Sequence, residues 1–357
     1  MKIGSVLIDP PFALAPMAGM TDTAFRRLVK HKGGCGLVVS EMVSSEGLVR
    51  GIDRTLEYAE YTEEERPVAI QIFGGDPAKM AEAAQVVESM GADIVDVNMG
   101  CPVPKIAKHS AGCSLMREPE HAASVVRAMS GAVKIPVTVK MRAGWDEQTV
   151  NAPQLAKMME DAGAAAVTVH GRTAKQSYRG SSDWDLIARV AAGVRIPVVG
   201  SGDCVEAGQI VDRMRSGVSG VLVGRGALRN PWIFRQAADL QAGRAATPVT
   251  LAERGAFLLE YIDLLLNEPV NEADGFRHIA PGQAQAGPPP ASAPARGRER
   301  WVINKLRALG SWYTKGLDGG SHLRVAINSA ESIPHLREII SGFFVDTVSP
   351  ANHALHI

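Results

Sequence analysis

The chain has 357 residues, 46% of them hydrophobic, and its 38 Lys plus Arg balance 38 Asp plus Glu, so the formal net charge is zero. That length holds one large α/β unit of about 250 residues and a smaller one, and the balanced charge excludes a global field that draws in nucleic acid, so a polyanion has to be met by a local patch. Cys35, Cys101, Cys113 and Cys204 form no Cys-x-x-Cys pair and no zinc spacing, Asp9-Pro10-Pro11 interrupts any signal-peptide core, and no apolar run reaches a membrane span; a cytoplasmic protein without a metal, a disulfide scaffold or a membrane anchor is expected.

Short apolar runs then alternate with helical patterns. The runs are Phe12 to Pro16, Gly36 to Ser40, Val68 to Ile72, Ile94 to Asn98, Val137 to Met141, Ala166 to His170, Val198 to Gly200 and Val221 to Gly224. Amphipathic segments such as Pro77 to Met90, Pro119 to Met129 and Ala152 to Ala162 separate them, which is the signature of βα units with a parallel sheet whose strands are apolar throughout. Eight consecutive units predict an α/β fold, a (β/α)8 TIM barrel over residues 1–243, with its active site where the strands end. A doubly wound sheet is the rival, but no Gly-x-Gly-x-x-Gly turn follows the first strand.

Beyond Gly243 the strand pattern stops. Helices are expected at Leu251 to Leu266 and Arg300 to Tyr313 within a C-terminal all-helical domain, 248–345. A Pro/Ala-rich segment at about 280–297, APGQAQAGPPPASAPA at its core, interrupts that domain with almost nothing to bury, and residues 346–357 read as a fraying tail.

If the barrel forms, the strand ends collect the chemistry. Glycine turns after strands seven and eight, Ser201-Gly202-Asp203 and Gly224-Arg225, would make a phosphate site, because backbone N–H groups approach an oxyanion only where no Cβ intervenes. Each turn alone is better explained by chain geometry; two adjacent turns with an arginine favour phosphate. Lys140 at the end of a buried strand needs an anion, either the N1–C2 edge of a reduced flavin or a salt bridge to Asp96. Gln71 and Asn98 can pair with a heterocycle or satisfy local backbone, and His170 and Arg172 lean over the same mouth.

Cys101 stands on a loop between Pro102-Val103-Pro104 and the strand ending at Asn98. No His-Asp pair accompanies it, so general acid is a better role than nucleophile. The remaining three thiols read as buried bystanders.

Taken together, Ala15 to Asp22 (APMAGMTD), Gln71 to Gly74 (QIFG), Asp96 to Pro104 (DVNMGCPVP), Val139 to Arg142 (VKMR), His170 to Thr173 (HGRT) and Val223 to Arg225 (VGR) resemble the tRNA-dihydrouridine synthases, most closely their bacterial B-type branch. The similarity covers the barrel and reappears at Leu309 to Leu317 (LGSWYTKGL), which is similar to the family's tRNA-facing segment. Ser201 stands where the family usually has Asn, and Ala174 where a basic residue is common.

The resemblance implies an FMN oxidoreductase that reduces the C5=C6 bond of uridines in tRNA with NADPH. Pro16, Met17, Ala18, Gln71, Lys140, His170, Ser201, Gly202, Asp203, Gly224 and Arg225 would hold FMN, Cys101 would protonate C5, and Asn98, Arg172, Arg300, Lys305 and Arg307 would meet the substrate. A local excess of five positive charges between Arg296 and Lys315 suits RNA. Placing Val302, Leu306, Leu309 and Tyr313 inward leaves Arg300, Asn304 and Arg307 on the opposite face. The alternatives are an FMN enzyme acting on a free pyrimidine, similar to dihydroorotate dehydrogenases, and a non-catalytic RNA-binding barrel.

Overall fold

The structure, a computed structural model, describes residues 1–103, 106, 110–267 and 295–344, without the side chains of Arg54, Asn267, Ala295 and Arg296. The Pro/Ala-rich segment as far as residue 294, the 346–357 tail and Pro104 therefore lie outside the described residues.

Eight parallel strands close into a ring: β1 (Phe12–Leu14), β2 (Leu37–Val39), β3 (Val68–Phe73), β4 (Ile94–Met99), β5 (Val137–Arg142), β6 (Ala166–His170), β7 (Val198–Ser201) and β8 (Gly220–Val223). Neighbours in sequence pair throughout, and β1 pairs with β8, which leaves no free edge. Each anticipated run overlaps one of these strands, so the fold is the TIM barrel.

Helices α1 (Thr23–Lys32), α2 (Ser45–Val49), α3 (Pro77–Ser89), α4 (Pro119–Ala132), α5 (Ala152–Asp161), α6 (Trp184–Gly193), α7 (Ala207–Met214) and α8 (Ile233–Gln241) each follow one strand. Asp22 caps α1 by accepting from the Phe25 N–H, and Asp183 caps α6 from the Leu186 N–H. The chain continues as α9 (Leu251–Asn267), α10 (Ala295–Tyr313), α11 (Gly320–Ser329) and α12 (Ile333–Phe344). Helix α10 begins at Ala295, ahead of the expected Arg300, because Ala295 and the residues after it no longer contain proline. Among the described residues no helix is long and apolar enough to cross a membrane.

The strands are not apolar throughout. Their outward positions, such as Val95, Val97 and Met99 of β4, pack under the helices, while the inward positions mix alanines and aliphatic residues such as Leu37, Ile94 and Leu222 with the polar Gln71, Asp96, Asn98, Thr138 and Lys140. Ala13, Ala69 and Ala166 leave room in the barrel, and Ile3 and Ile8 fill it from below. Ile3 lies in, and Ile8 just after, an antiparallel hairpin, Lys2–Ile3 with Val6–Leu7, that plugs the ends where the strands begin and that no sequence pattern announced. The opposite end stays open.

Helices α9 and α10 seat on the barrel through aromatic rings. Phe257 of α9 meets Phe25 of α1 edge-on at 6.0 Å and stacks on Tyr313 of α10 at 5.7 Å. Val302, Leu306, Leu309 and Tyr313 are all buried, as the α10 periodicity requires.

Candidate active site

At the open end, loops after β1, β5, β6, β7 and β8 line a cleft, the place where this architecture carries its ligands. Pro16, Met17, Lys140, His170, Ser201, Gly202, Asp203, Gly224 and Arg225 line it. Ala18 stands exposed at the tip of the β1 loop, and Gln71 is buried deeper in the barrel. The β1 loop is a tight turn, with the Met20 and Thr21 amides donating to the Met17 carbonyl and the Met17 amide donating to Thr21 Oγ1.

Beneath the mouth runs a polar column. Asp96 of β4 accepts from Thr138 Oγ1 at 2.6 Å and from Gln71 Nε2 at 2.7 Å. Gln71 Oε1 accepts from Asn98 Nδ2 at 2.7 Å, and Asn98 Oδ1 accepts the amides of Gly100 and Cys101 at 3.1 and 2.9 Å. Asn98 thus anchors the Cys101 loop through its carbonyl, which is one of the two uses the sequence allowed it, local backbone or a bound heterocycle. The amide of Cys113 donates to the Cys101 carbonyl, tethering the loop a second time.

Lys140 of β5 lies level with Asn98 across the sheet. It makes no hydrogen bond or ion pair among the described residues, since Gln71 and Thr138 occupy the Asp96 oxygens. Burial, reinforced by the neighbouring Arg142 charge, pushes its ammonium down to about 8. The salt bridge to Asp96 that competed with an anionic ligand is not formed.

Cys101 is half-buried, whereas Cys35, Cys113 and Cys204 are buried and burial pushes their thiols up to about 12, 11 and 12. Cys101 is the accessible thiol of the four.

His170, Arg172 and Asp203 form one unit. Arg172 is 2% exposed, and its Nη2 donates to both Asp203 oxygens and to the Gly180 carbonyl, its Nε to the Arg179 carbonyl. Arg172, expected from the sequence at the substrate, ties the β6 and β7 loops together through these acceptors. Burial sets itself against the Asp203 carboxylate, but the Ser182 N–H and Arg172 prevail and hold its carboxyl below the usual range. Its side chain is therefore engaged, by Arg172, by the Ser182 N–H and, at 3.6 Å, by Arg225. Gly202 has φ +121°, and a Cβ there would strike Ser182 Oγ at 2.3 Å. Burial, followed by the charges of Lys140, Arg142, Arg172 and Arg225, drives His170 far below its ordinary pKa, so its ring is neutral.

The α10 cations divide. Lys305 donates to the Gly19 carbonyl at 2.9 Å and pairs with Asp22 at 2.9 Å, with Glu41 at 3.7 Å. Tyr261 of α9 donates to the same Asp22. Arg307 donates to the Ala330 carbonyl and to Asn304. Lys305 and Arg307 each hold partners within the fold, whereas Arg300 is exposed.

Two residues at the mouth escaped the sequence reading as site members. Arg142 donates to the carbonyls of Gly100, Thr173 and Ser177, joining the Cys101 loop to the β6 loop. Tyr178, 59% exposed, lies under the Arg225 guanidinium at 4.5 Å. Arg142 was visible as a cation at a strand end; a lone tyrosine in a loop carried no signal. Among the described residues no cluster of three His, Cys, Asp or Glu could hold a metal.

Known proteins of similar sequence identify the family. The profile described as dihydrouridine synthase (Dus) matches residues 13–286. A probable tRNA-dihydrouridine synthase of Rickettsia conorii is 35% identical over 354 residues, covering 98% of this chain and 97% of the relative. One from Rhodobacter capsulatus is 43% identical across 75% of this chain and 83% of its own length. A tRNA-dihydrouridine synthase B of Xanthomonas axonopodis pv. citri is 36% identical across 93% of this chain and 92% of its own.

Proposed function

The chain belongs to the dihydrouridine synthase family, and on that premise we propose that it reduces the C5=C6 bond of uridines in tRNA, with FMN as cofactor and NADPH as reductant. The observation that carries this reading is the convergence, where the strands end, of the accessible Cys101, the Lys140 ammonium, unpaired among the described residues, and two glycine turns that suit a phosphate.

The residues fit a flavin mononucleotide. The backbone of Gly202-Asp203 and of Gly224 with the Arg225 guanidinium suit its phosphate, Lys140 suits a ring edge that gains negative charge on reduction, and neutral His170 can donate or accept one hydrogen bond without adding charge. Bound there, FMN supplies the hydride for C6 of the uracil. Cys101 Sγ–H gives its proton to C5 as the π bond breaks, and the thiolate left behind faces the cations of Lys140 and Arg142 before it is reprotonated from solvent. Because the reacting base has to reach a mouth recessed inside a barrel, it is turned out of its RNA stack. Residues 1–243 act as the catalytic part and 248–345 as the RNA-facing part, with the exposed Arg300 as its phosphate contact; this arrangement favours tRNA over a free pyrimidine, and Cys101 with Lys140 favours catalysis over RNA binding alone.

The test is to incubate unmodified tRNA with protein, FMN and NADPH and quantify dihydrouridine. The parent forms it, and Cys101→Ala is reduced by NADPH yet forms it at least a hundredfold more slowly. Protein that shows no flavin absorbance even after added FMN would remove the cofactor from the proposal, and dihydrouridine formation at the parent rate by Cys101→Ala would remove the acid.

A further inference from the structure

The column below the mouth has a direction. A carboxylate only accepts, so Asp96, at the buried end, compels Gln71 to turn its Nε2 toward Asp96 and its Oε1 outward. That oxygen compels Asn98 to turn Nδ2 inward and Oδ1 toward the Gly100 and Cys101 amides. Each amide side chain has two orientations that differ by half a turn and are nearly equal in shape. One acceptor-only group removes that choice along the whole row, because every reversed amide sets acceptor against acceptor or donor against donor in a buried place.

We propose that Asp96 is the positioning residue for Cys101: through Gln71 and Asn98 it sets the polarity of a hydrogen-bond relay that ends on the Cys101 amide and holds the thiol loop over the mouth in one arrangement. The consequence for catalysis rests on the reading of Cys101 as proton donor; the relay itself does not. Thr138 Oγ1 completes the buried end, donating to the second Asp96 oxygen, so the carboxylate accepts from both sides. Lys140 stands beside the row but takes no part in it by hydrogen bond among the described residues, which separates the orienting role of Asp96 from simple charge neutralisation.

Reversing the relay tests it with substitutions that conserve volume. Asn98→Asp keeps an acceptor for the Gly100 and Cys101 amides but places its other oxygen against Gln71 Oε1; turning Gln71 over only transfers the clash to Asp96. In Asp96→Asn/Asn98→Asp the amide introduced at position 96 donates to the turned Gln71, accepts from Thr138, and the row runs in the opposite sense with every contact satisfied. Asp96→Asn alone can still accept from Gln71 and donate to Thr138.

The readout is the rate at which iodoacetamide alkylates Cys101 in the folded protein, followed by mass spectrometry of the Cys101 peptide without flavin or tRNA. Asn98→Asp raises that rate about tenfold, the factor that corresponds to losing one hydrogen bond of ordinary net strength; Asp96→Asn stays within about threefold of the parent, and the double variant returns to that range. Parent-like labelling of Asn98→Asp, or a double variant that labels as fast as Asn98→Asp, overturns the relay. Because no step uses FMN or RNA, failure of the relay is distinct from failure of the proposed reaction, which the dihydrouridine assay reports.

Discussion

Arg172 Nη2 lies 2.7 and 2.8 Å from the two carboxylate oxygens of Asp203, so a side chain on the β6 loop neutralises an anion on the turn that would meet a phosphate. Asp203 sits at φ +55°, outside the usual range for a residue with a Cβ, and its carboxylate repels any phosphate unless it is paired. Removing Arg172 therefore strips away a cation and exposes an anion at the same turn.

Arg172→Ala weakens FMN binding about tenfold or more by fluorescence titration, and Arg172→Ala/Asp203→Asn recovers part of the loss. Equal affinity in the single variant and the parent would show that the pair does not govern the turn.

Lys140→Met stabilises the flavin-free protein. The folded pKa of Lys140, about 8, lies below the ordinary 10.5, so the unfolded chain holds this proton more tightly. The resulting cost is fully present below pH 8 and fades as pH rises through 10.5. Allowing for partial solvent screening at the mouth, relief is on the order of 2 kcal/mol at pH 7 in urea unfolding. The same variant lowers the reduction potential of bound flavin, since an unpaired cation no longer stabilises the reduced form. Loss of stability on this substitution contradicts the account.

Acid acts on His170 in a defined window. Its folded pKa is far below 6.5, so the fold keeps the ring neutral while the unfolded chain takes up a proton below 6.5. The stability that goes with a neutral ring is complete above pH 6.5 and is lost as pH falls from there. Between pH 8 and pH 5 the parent loses about 2 kcal/mol through this residue, and His170→Asn loses correspondingly less in the same urea series.

Two cations one turn and a half apart on α10 behave differently. Lys305→Ala leaves Asp22 and the buried Glu41 facing each other without a cation; burial already raises the Glu41 carboxyl, against the pull of Lys305. Its cost is about 3 kcal/mol in stability, with the salt slope of tRNA binding unchanged. Arg300→Ala leaves the thermal midpoint in place and lowers that slope by about one. The reverse assignment of the two effects would restore Lys305 as the RNA contact.

The cleft and the eight strands were legible because their signals are local: a run of Val and Ile, a glycine turn, a cation at a strand end. The hairpin beneath Ala13, Ala69 and Ala166 was not, because a pair of two-residue strands has no periodicity; only the empty space left by alanines from distant strands calls for Ile3 and Ile8.

By itself the chain determined the order of βα units, the mouth at which their ends converge, and the chemical types gathered there, since these follow from spacing along one polymer. Tertiary structure alone decided which polar groups remain available. Arg172 pairs with Asp203, Lys305 with Asp22 and Glu41, and Asn98 with the Cys101 loop, while Lys140 keeps a charge unpaired among the described residues. Hydrogen bonding saturates at short range between residues far apart in sequence, so partners are assigned only when the barrel closes.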